Sequence, residues 1–169
     1  MMDKSAHDLT VGASSRSRTS SEFGQSPILQ SGFSRDKIFV DTGWFKGMID
    51  KSDEHHIRAR SIYRGLKKNR SALLTTNFVV GETFTLVRRS CGLYWAKKLN
   101  ELLTSLKSSL EIERVTGEDE GRVWEWFWYD WKRLSYLDCT SFAVMKRLDL
   151  KKVATFDDHF EMAGFERVK

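Results

Sequence analysis

Short apolar runs alternate with longer helical segments from Lys37 to the end of the chain, and this alternation constrains the fold more than any other feature. Five runs resemble buried strands: 38–40, 72–75, 110–115, 152–155 and 165–168. Six segments have helical character: 43–50, 55–68, 77–89, 93–107, 117–133 and 138–148. Strands joined by helical crossovers pair in parallel and are covered on both faces. The sequence therefore predicts a three-layer α/β/α sandwich around a five-stranded parallel sheet.

The first 36 residues have a different composition from the rest of the chain. They contain nine serines, the only proline (Pro27), few large apolar residues and no periodicity. Such a composition cannot bury enough apolar surface to fold alone. We therefore expect residues 1–36 to be a disordered tail or leader and residues 37–169 to be one folded domain.

Charge and cysteine content narrow the functional classes. The net charge of +5 arises from residue 37 onward, where 24 basic residues face 19 acidic ones, since the charges of the first 36 residues cancel. A basic body suits a polyanionic ligand, although an ordinary basic surface explains it equally well. Two cysteines are too few for a disulfide framework, which favours a reducing, cytoplasmic setting. No apolar run is long enough to predict a membrane span.

Acidic residues occur at the edges of several predicted elements. Asp41 follows the first strand and Asp138 begins the last predicted helix, so either acid could instead be a helix N-cap. Glu82 lies on a helix that is apolar almost all round, and we expect it to be buried with a partner, an arginine being the simplest alternative. Asp157 and Asp158 follow the fourth strand, so that one can point into a site while the other faces water or caps a turn.

If these acids meet, they require a cation. Two carboxylates at about 4 Å repel each other by roughly 4 kcal/mol at an effective dielectric constant near 20. Oxygen ligands prefer Mg²⁺, with Mn²⁺ as the alternative ion, over zinc. Such ions polarise phosphoryl oxygens and generate hydroxide from water, so the chemistry expected of the cluster is phosphodiester hydrolysis.

Several other residues are candidates for substrate contact. Arg60 and Arg64 share one face of a basic helical segment and suit phosphate contact, or simply a solvated surface. Thr140 and Ser141 follow Asp138 and are candidates for bonding the carboxylates or a metal-bound water, or for satisfying helix-start amides. We interpret His159 as structural.

The tryptophan-rich run 123–131 separates into two faces if it forms one helix. Trp124, Trp128 and Trp131 fall on a stripe that we expect to be core. Trp126 and Tyr129 fall on the other face, beside basic residues, and we expect them to be exposed and able to stack on RNA bases or meet a partner protein.

Four segments together resemble the PIN-domain ribonucleases, and within them the VapC-type toxins of toxin–antitoxin pairs. The segments are I-F-V-D-T-G-W-F, T-T-N-F-V-V-G-E-T-F-T-L-V, L-S-Y-L-D-C-T-S-F-A-V-M and V-A-T-F-D-D-H-F. The resemblance covers the chain from Ile38 to Lys169. It places the catalytic acids on Asp41, Glu82, Asp138 and Asp157, with Asp157 preferred to Asp158. Thr42, which follows Asp41 in the first motif, is a further candidate for substrate contact.

The resemblance implies a specific architecture and activity. The sheet order would be 3-2-1-4-5, which puts Asp41 and Asp157 on neighbouring strands at the switch point where open α/β sheets bind ligands. Asp41, Asp138 and Asp157 would hold Mg²⁺ in an endoribonuclease, and Glu82 would help to orient the attacking water. A cognate antitoxin and a homodimer are also implied.

Two alternatives stay open from the sequence. The first is an RNA-binding or interaction module that keeps the fold without turnover. The second is a phosphatase of the haloacid-dehalogenase type, which also begins with an acid at a strand end but expects a second Asp where Gly43 stands.

Overall fold

The structure, a computed structural model, describes residues 37–169 of the 169-residue chain. The predicted tail of residues 1–36 lies outside the described residues. Five strands, β1 to β5 in chain order, span Lys37–Val40, Ala72–Thr76, Leu110–Glu113, Lys152–Ala154 and Glu166–Arg167. Eight helices, α1 to α8, span Thr42–Ile49, His56–Lys68, Asn77–Ser90, Leu93–Ser105, Gly117–Arg122, Trp124–Phe127, Tyr136–Arg147 and His159–Met162.

All five strands are parallel, in the order β3-β2-β1-β4-β5, which confirms the predicted sheet. β1 is central, and its neighbours in the sheet are β2 and β4. The backbone N–H of Asp41 also donates to the Ala154 carbonyl (3.2 Å), so the pairing of β1 with β4 extends to the acid that follows β1. The order of the strands thus changes direction beside Asp41.

Two groups of helices cover the sheet. One group consists of α1, α2, α3 and α4, which pack on one another, and in the other α5, α6 and α8 pack on α7. Phe39 and Val40 of β1 are fully buried, as are Trp44 of α1 and Phe142 of α7. Each large apolar side chain removed from water stabilises the fold by about 1.5–3 kcal/mol, so this continuous core holds the strand ends in place.

The predicted helix over residues 117–133 is wrong in its extent. α5 ends at Arg122, α6 is a separate four-residue helix that ends at Phe127, and residues 128–134 form turns and irregular backbone. Arg133 has a φ of 70°, which a continuous α-helix does not allow. Because the helical phase is lost, a projection at 100° per residue assigns the wrong faces beyond Arg122.

The tryptophan assignment is consequently reversed for three residues. Trp124 and Trp128 are exposed (46% and 74%), whereas Trp126 is buried and packs edge-on against Phe142 with ring centroids 5.8 Å apart. Tyr129 is exposed, as expected.

Smaller differences from the prediction have local causes. β3 ends at Glu113 because the Val115 N–H donates to the Asn77 side chain (2.9 Å) and not to a strand. α8 was not predicted, since its four residues are too few for a periodic pattern. Within residues 37–169, no helix combines the length and the apolar character that a membrane span requires.

Candidate active site

Asp41 is a buried carboxylate at the point where β1 meets α1. It caps α1, with its Oδ2 accepting the Gly43 N–H (3.4 Å), and the same oxygen accepts the Thr155 hydroxyl (2.8 Å). Burial raises the pKa of Asp41 to about 7, and the negative charge of Asp138 adds to the rise, while the hydrogen bonds from Thr155 and the backbone oppose it. The N-cap alternative is therefore correct as geometry, but it does not explain why the carboxylate is out of water.

Asp138 occupies the third position of α7, not its cap as one alternative had it. Ser135 is the N-cap, and the two residues form a capping box. Asp138 Oδ2 accepts both the Ser135 N–H (2.9 Å) and the Ser135 hydroxyl (2.6 Å). Burial raises the pKa of Asp138, and the Ser135 hydrogen bonds oppose that rise while the neighbouring Asp157 charge reinforces it. The capping box leaves Oδ1 of Asp138 available to a ligand.

The two consecutive acids after β4 point to different surroundings. Asp157 donates its backbone N–H to Thr155 Oγ1 (3.0 Å), and its Oδ1 accepts the His159 N–H (2.9 Å). Asp158 is exposed and forms an ion pair with Arg167 (2.5 Å). Asp157 also has a carboxylate oxygen within 4.8 Å of one from Asp138, whereas Asp158 is paired with Arg167 at the surface.

Glu82 is exposed, so the expectation that it is buried on an all-round apolar helix is wrong. α3 buries only one face, through Val79, Thr83 and Val87, and Glu82 lies outside that face. Its Oε2 accepts the Thr42 hydroxyl (2.6 Å), and this bond places Glu82 beside the residue that follows Asp41. The alternative of an arginine partner is not realised among the described residues, where Thr42 is the hydrogen-bond partner of Glu82.

Asp138 is the acid whose charge interacts with both of the others, Asp41 and Asp157. One ligand atom from each of Asp138, Asp157 and His159 lies within 4.8 Å of the other two. The structure therefore gathers Asp41, Asp138 and Asp157 at the carboxyl edge of the sheet, with Glu82 joined through Thr42. Such a set of oxygen atoms fits a hard divalent cation.

The other four residues predicted to contact substrate are bonded elsewhere, buried or exposed away from the acids' hydrogen bonds. Thr140 donates its hydroxyl to the Tyr136 carbonyl (2.8 Å), and Ser141 is buried within α7. Arg60 and Arg64 are exposed on α2, and Arg60 lines a cavity with Trp95 and Lys98 of α4. None of these four side chains contacts an acid of the cluster through a hydrogen bond within residues 37–169.

Sequence reasoning missed several residues that shape the site. Thr155 bonds both Asp41 and Asp157, and Ser135 holds Asp138. The ring of Phe156 stacks on His55 (4.3 Å) and carries the Arg58 guanidinium at 5.6 Å. The position of Thr155, two residues before Asp157 at a strand end, was a detectable signal, but the His55–Phe156 contact has none in the sequence.

An open cavity of about 610 Å³ adjoins the cluster. Its lining includes Asp157, His159 and Phe156 together with Lys132 and Arg133. A larger cavity, of about 770 Å³, is lined by Lys37, Ala72 and Leu110 at the amino ends of three strands, which is the opposite edge of the sheet. The smaller cavity is therefore the one that a ligand of the acids would enter.

Comparison with known proteins agrees with this fold. The model of the PIN domain family matches residues 38–166. The chain belongs to the PIN-domain family. A relative from Mycobacterium tuberculosis, the 23S rRNA-specific endonuclease VapC20, is 33% identical over 133 residues, which are 78% of this chain and 98% of the relative, in both strains compared.

A solved structure gives the same relationship. The crystal structure of M. tuberculosis VapC20, described as a toxin that cleaves the sarcin–ricin loop, superimposes with a TM-score of 0.68 at 32% identity. The superposition covers 78% of this chain and 98% of that structure. The class predicted from the sequence, a PIN-domain nuclease toxin of the VapC type, is thereby confirmed.

Proposed function

We propose that this protein is a divalent-cation-dependent endoribonuclease that cleaves phosphodiester bonds of structured RNA and acts as the toxin of a toxin–antitoxin pair. The observation that carries the proposal is the group of acids around Asp138, in which Asp41 is buried with a pKa of about 7. Carboxylates crowded out of water in this way require a proton or a cation. The matching PIN-domain model and the VapC20 relatives support the same reaction class.

Asp41, Asp138 and Asp157 are the residues that we assign to the cation. Their oxygen atoms suit Mg²⁺, with Mn²⁺ as the alternative. When bound, such an ion polarises a phosphoryl oxygen and lowers the pKa of a bound water. Glu82 is exposed beside Thr42, where a carboxylate can accept a proton from an incoming water. Asp158 takes no part, since Arg167 holds it at the surface.

The substrate that we propose is a structured RNA of the class named for the relatives, a ribosomal RNA loop. The net charge of +5 favours a polyanion. Lys132 and Arg133 line the cavity beside Asp157, and His55 and Arg58 lie on Phe156 at the same edge. These four residues are better placed for phosphate contact near the acids than Arg60 and Arg64, which we retain as contacts for more distant phosphates.

The relationship to VapC toxins also supports a cognate antitoxin and a homodimer as partners. Cys91 and Cys139 are free thiols, which fits the cytoplasmic location that we propose.

Incubation of the full chain with ribosomal RNA tests the proposal. We expect site-specific cleavage with Mg²⁺ that stops on addition of EDTA. Asp41→Asn should reduce the rate by at least about a hundredfold, because the variant loses a charged ligand of the ion. Asp158→Asn is the matched control at an exposed acid of the same motif, and it should retain the wild-type rate.

Cleavage that persists in EDTA, or that is unaffected by Asp41→Asn, would exclude this function. RNA binding without cleavage, unchanged by either substitution, would favour the non-catalytic RNA-binding module.

A further inference from the structure

His159 is the histidine of the acid cluster, and the nuclease chemistry described above leaves it without a role. It is the first residue of α8, and its side chain is 13% exposed. The ring lies nearly parallel to Trp131, with an interplanar angle of 11°, and faces Asp157. Its orientation is therefore fixed on both sides.

The contact of the ring with the main chain determines which nitrogen carries hydrogen. Nε2 of His159 lies 3.1 Å from the carbonyl oxygen of Lys132. A carbonyl oxygen only accepts hydrogen bonds, so Nε2 must be the donor. In the neutral ring, the lone pair then belongs to Nδ1.

Nδ1 is directed into the acid cluster. It lies 2.8 Å from Oδ1 of Asp157, is buried, and has no hydrogen-bond partner of suitable geometry among the described residues. Oδ1 of Asp157 already accepts the backbone N–H of His159. Nδ1 is out of water, whereas the Asp157 side chain is 32% exposed, and two lone-pair atoms at this separation repel unless a proton or a cation lies where both can bind it. One ring nitrogen of His159 and one carboxylate oxygen each of Asp157 and Asp138 lie within 4.8 Å of one another.

We propose that His159 Nδ1 is a ligand of the cation held by Asp138 and Asp157. Histidines that bind metals generally donate their other ring N–H to a carbonyl or carboxylate, and the Nε2 contact with Lys132 is a bond of this kind. An imidazole nitrogen among oxygen ligands raises the preference for Mn²⁺ over Mg²⁺. This inference rests on the proposed function only because both use the same metal site.

Electron spin-echo envelope modulation of Mn²⁺ bound to the full chain, without RNA, tests the assignment. A directly coordinated imidazole gives a ¹⁴N coupling, which we expect in the wild type. His159→Gln places its amide nitrogen where Nε2 lies and so can keep the bond to Lys132, but it offers no atom at the Nδ1 position. The coupling should disappear in this variant, and Mn²⁺ affinity should fall about tenfold or more, with a smaller loss for Mg²⁺.

His56→Gln is the matched control. His56 Nδ1 is bonded to the Gly47 carbonyl (2.7 Å), away from the acids, so this substitution should leave coupling and affinity unchanged. Bound Mn²⁺ without ¹⁴N coupling in the wild type would overturn the proposal and would identify the ring as an imidazolium paired with Asp157. Failure of the wild type to cleave RNA, with the coupling present, would instead count against the nuclease function alone.

Discussion

At the scale of single residues, burying the charged carboxylate of Asp41 costs the folded protein free energy. It is only 6% exposed, and two hydrogen bonds from Thr155 and Gly43 do not offset its removal from water. The result is a pKa of about 7 in the folded protein, against 3.8 for an ordinary aspartate. Burial destabilises the ionised form of Asp41. A cation that binds this carboxylate neutralises its charge and therefore stabilises the folded protein.

The raised pKa predicts how the metal-free protein responds to pH. Between pH 8 and pH 5.5 the folded state takes up a proton at Asp41 that the unfolded chain does not, so folding stability rises as pH falls. The gain is about 2 kcal/mol over this interval, and further acidification adds to it down to the unfolded pKa near 3.8. Thermal unfolding in EDTA at the two pH values measures it.

Asp41→Asn provides the comparison for that pH series. The amide has no charge to bury, so the variant should be more stable than the wild type at pH 8 and should show a much weaker pH dependence. Mg²⁺ at pH 8 should raise the melting temperature of the wild type more than that of the variant. A wild-type protein that loses stability between pH 8 and pH 5.5 would contradict the argument.

Thr155 is a second residue whose role is testable alone. It is fully buried, and its hydroxyl links Asp41 Oδ2 with the Asp157 N–H. Thr155→Val should cost about 2 kcal/mol of stability and lower Mg²⁺ affinity at least about tenfold. Thr75→Val is the control, since Thr75 is equally buried but donates to the Val40 carbonyl (2.7 Å). Urea unfolding and calorimetric titration should show similar stability losses but unequal effects on Mg²⁺.

At the scale of elements, the chain contains two capping boxes of the same design with different consequences. Thr116 with Asp119 starts α5, and Ser135 with Asp138 starts α7. In the first box the acid is bound by Arg147, whereas in the second it interacts with the charge of Asp157 and, within residues 37–169, pairs with no arginine. The acid of the capping box is therefore occupied by an arginine in α5, whereas in α7 it is available to a ligand.

Substituting each capping residue in turn distinguishes an effect on folding stability from an effect on metal binding and cleavage. Ser135→Ala and Thr116→Ala should each cost about 1 kcal/mol of folding free energy, because each helix loses a side-chain acceptor at its start. Only Ser135→Ala should also weaken Mg²⁺ binding and RNA cleavage, since Ser135 fixes Asp138. Equal losses of Mg²⁺ affinity in the two variants would show that capping acts on the site only through general stability.

At the scale of the whole molecule, one partly buried ion cluster at the C-terminal end of α7 joins that helix to α5 and β3. Arg147 binds Asp119 through two hydrogen bonds (2.8 and 3.0 Å) and Glu113 through a third (3.0 Å). Asp119 is fully buried, and although burial opposes ionisation, Arg147 and Thr116 hold its pKa below the usual value. The cluster therefore fixes α7, which carries Asp138, to α5 and β3.

Breaking this cluster should be costly. Arg147→Met leaves Asp119 buried without a counter-ion, and we expect a loss of about 3 kcal/mol in urea unfolding. Adding Asp119→Asn to that variant should recover part of the loss, since the buried charge is then removed. Arg122→Met is the surface control, because its pair with Glu125 is solvated and should contribute less than about 1 kcal/mol. If Arg147→Met alone is as stable as the wild type, the cluster does not fix α7 to α5 and β3.

The sequence by itself determined the order and type of nearly every element and the strand-end positions of Asp41 and Asp157, because periodicity and strand ends are local properties. The tertiary structure alone decided where side chains point. It exposed Glu82 by burying only one face of α3, and it reversed the tryptophans because α5 and α6 are separate helices. It also paired Asp158 with Arg167 and turned His159 toward Asp157. These outcomes depend on contacts between residues distant in the chain, which no local pattern records.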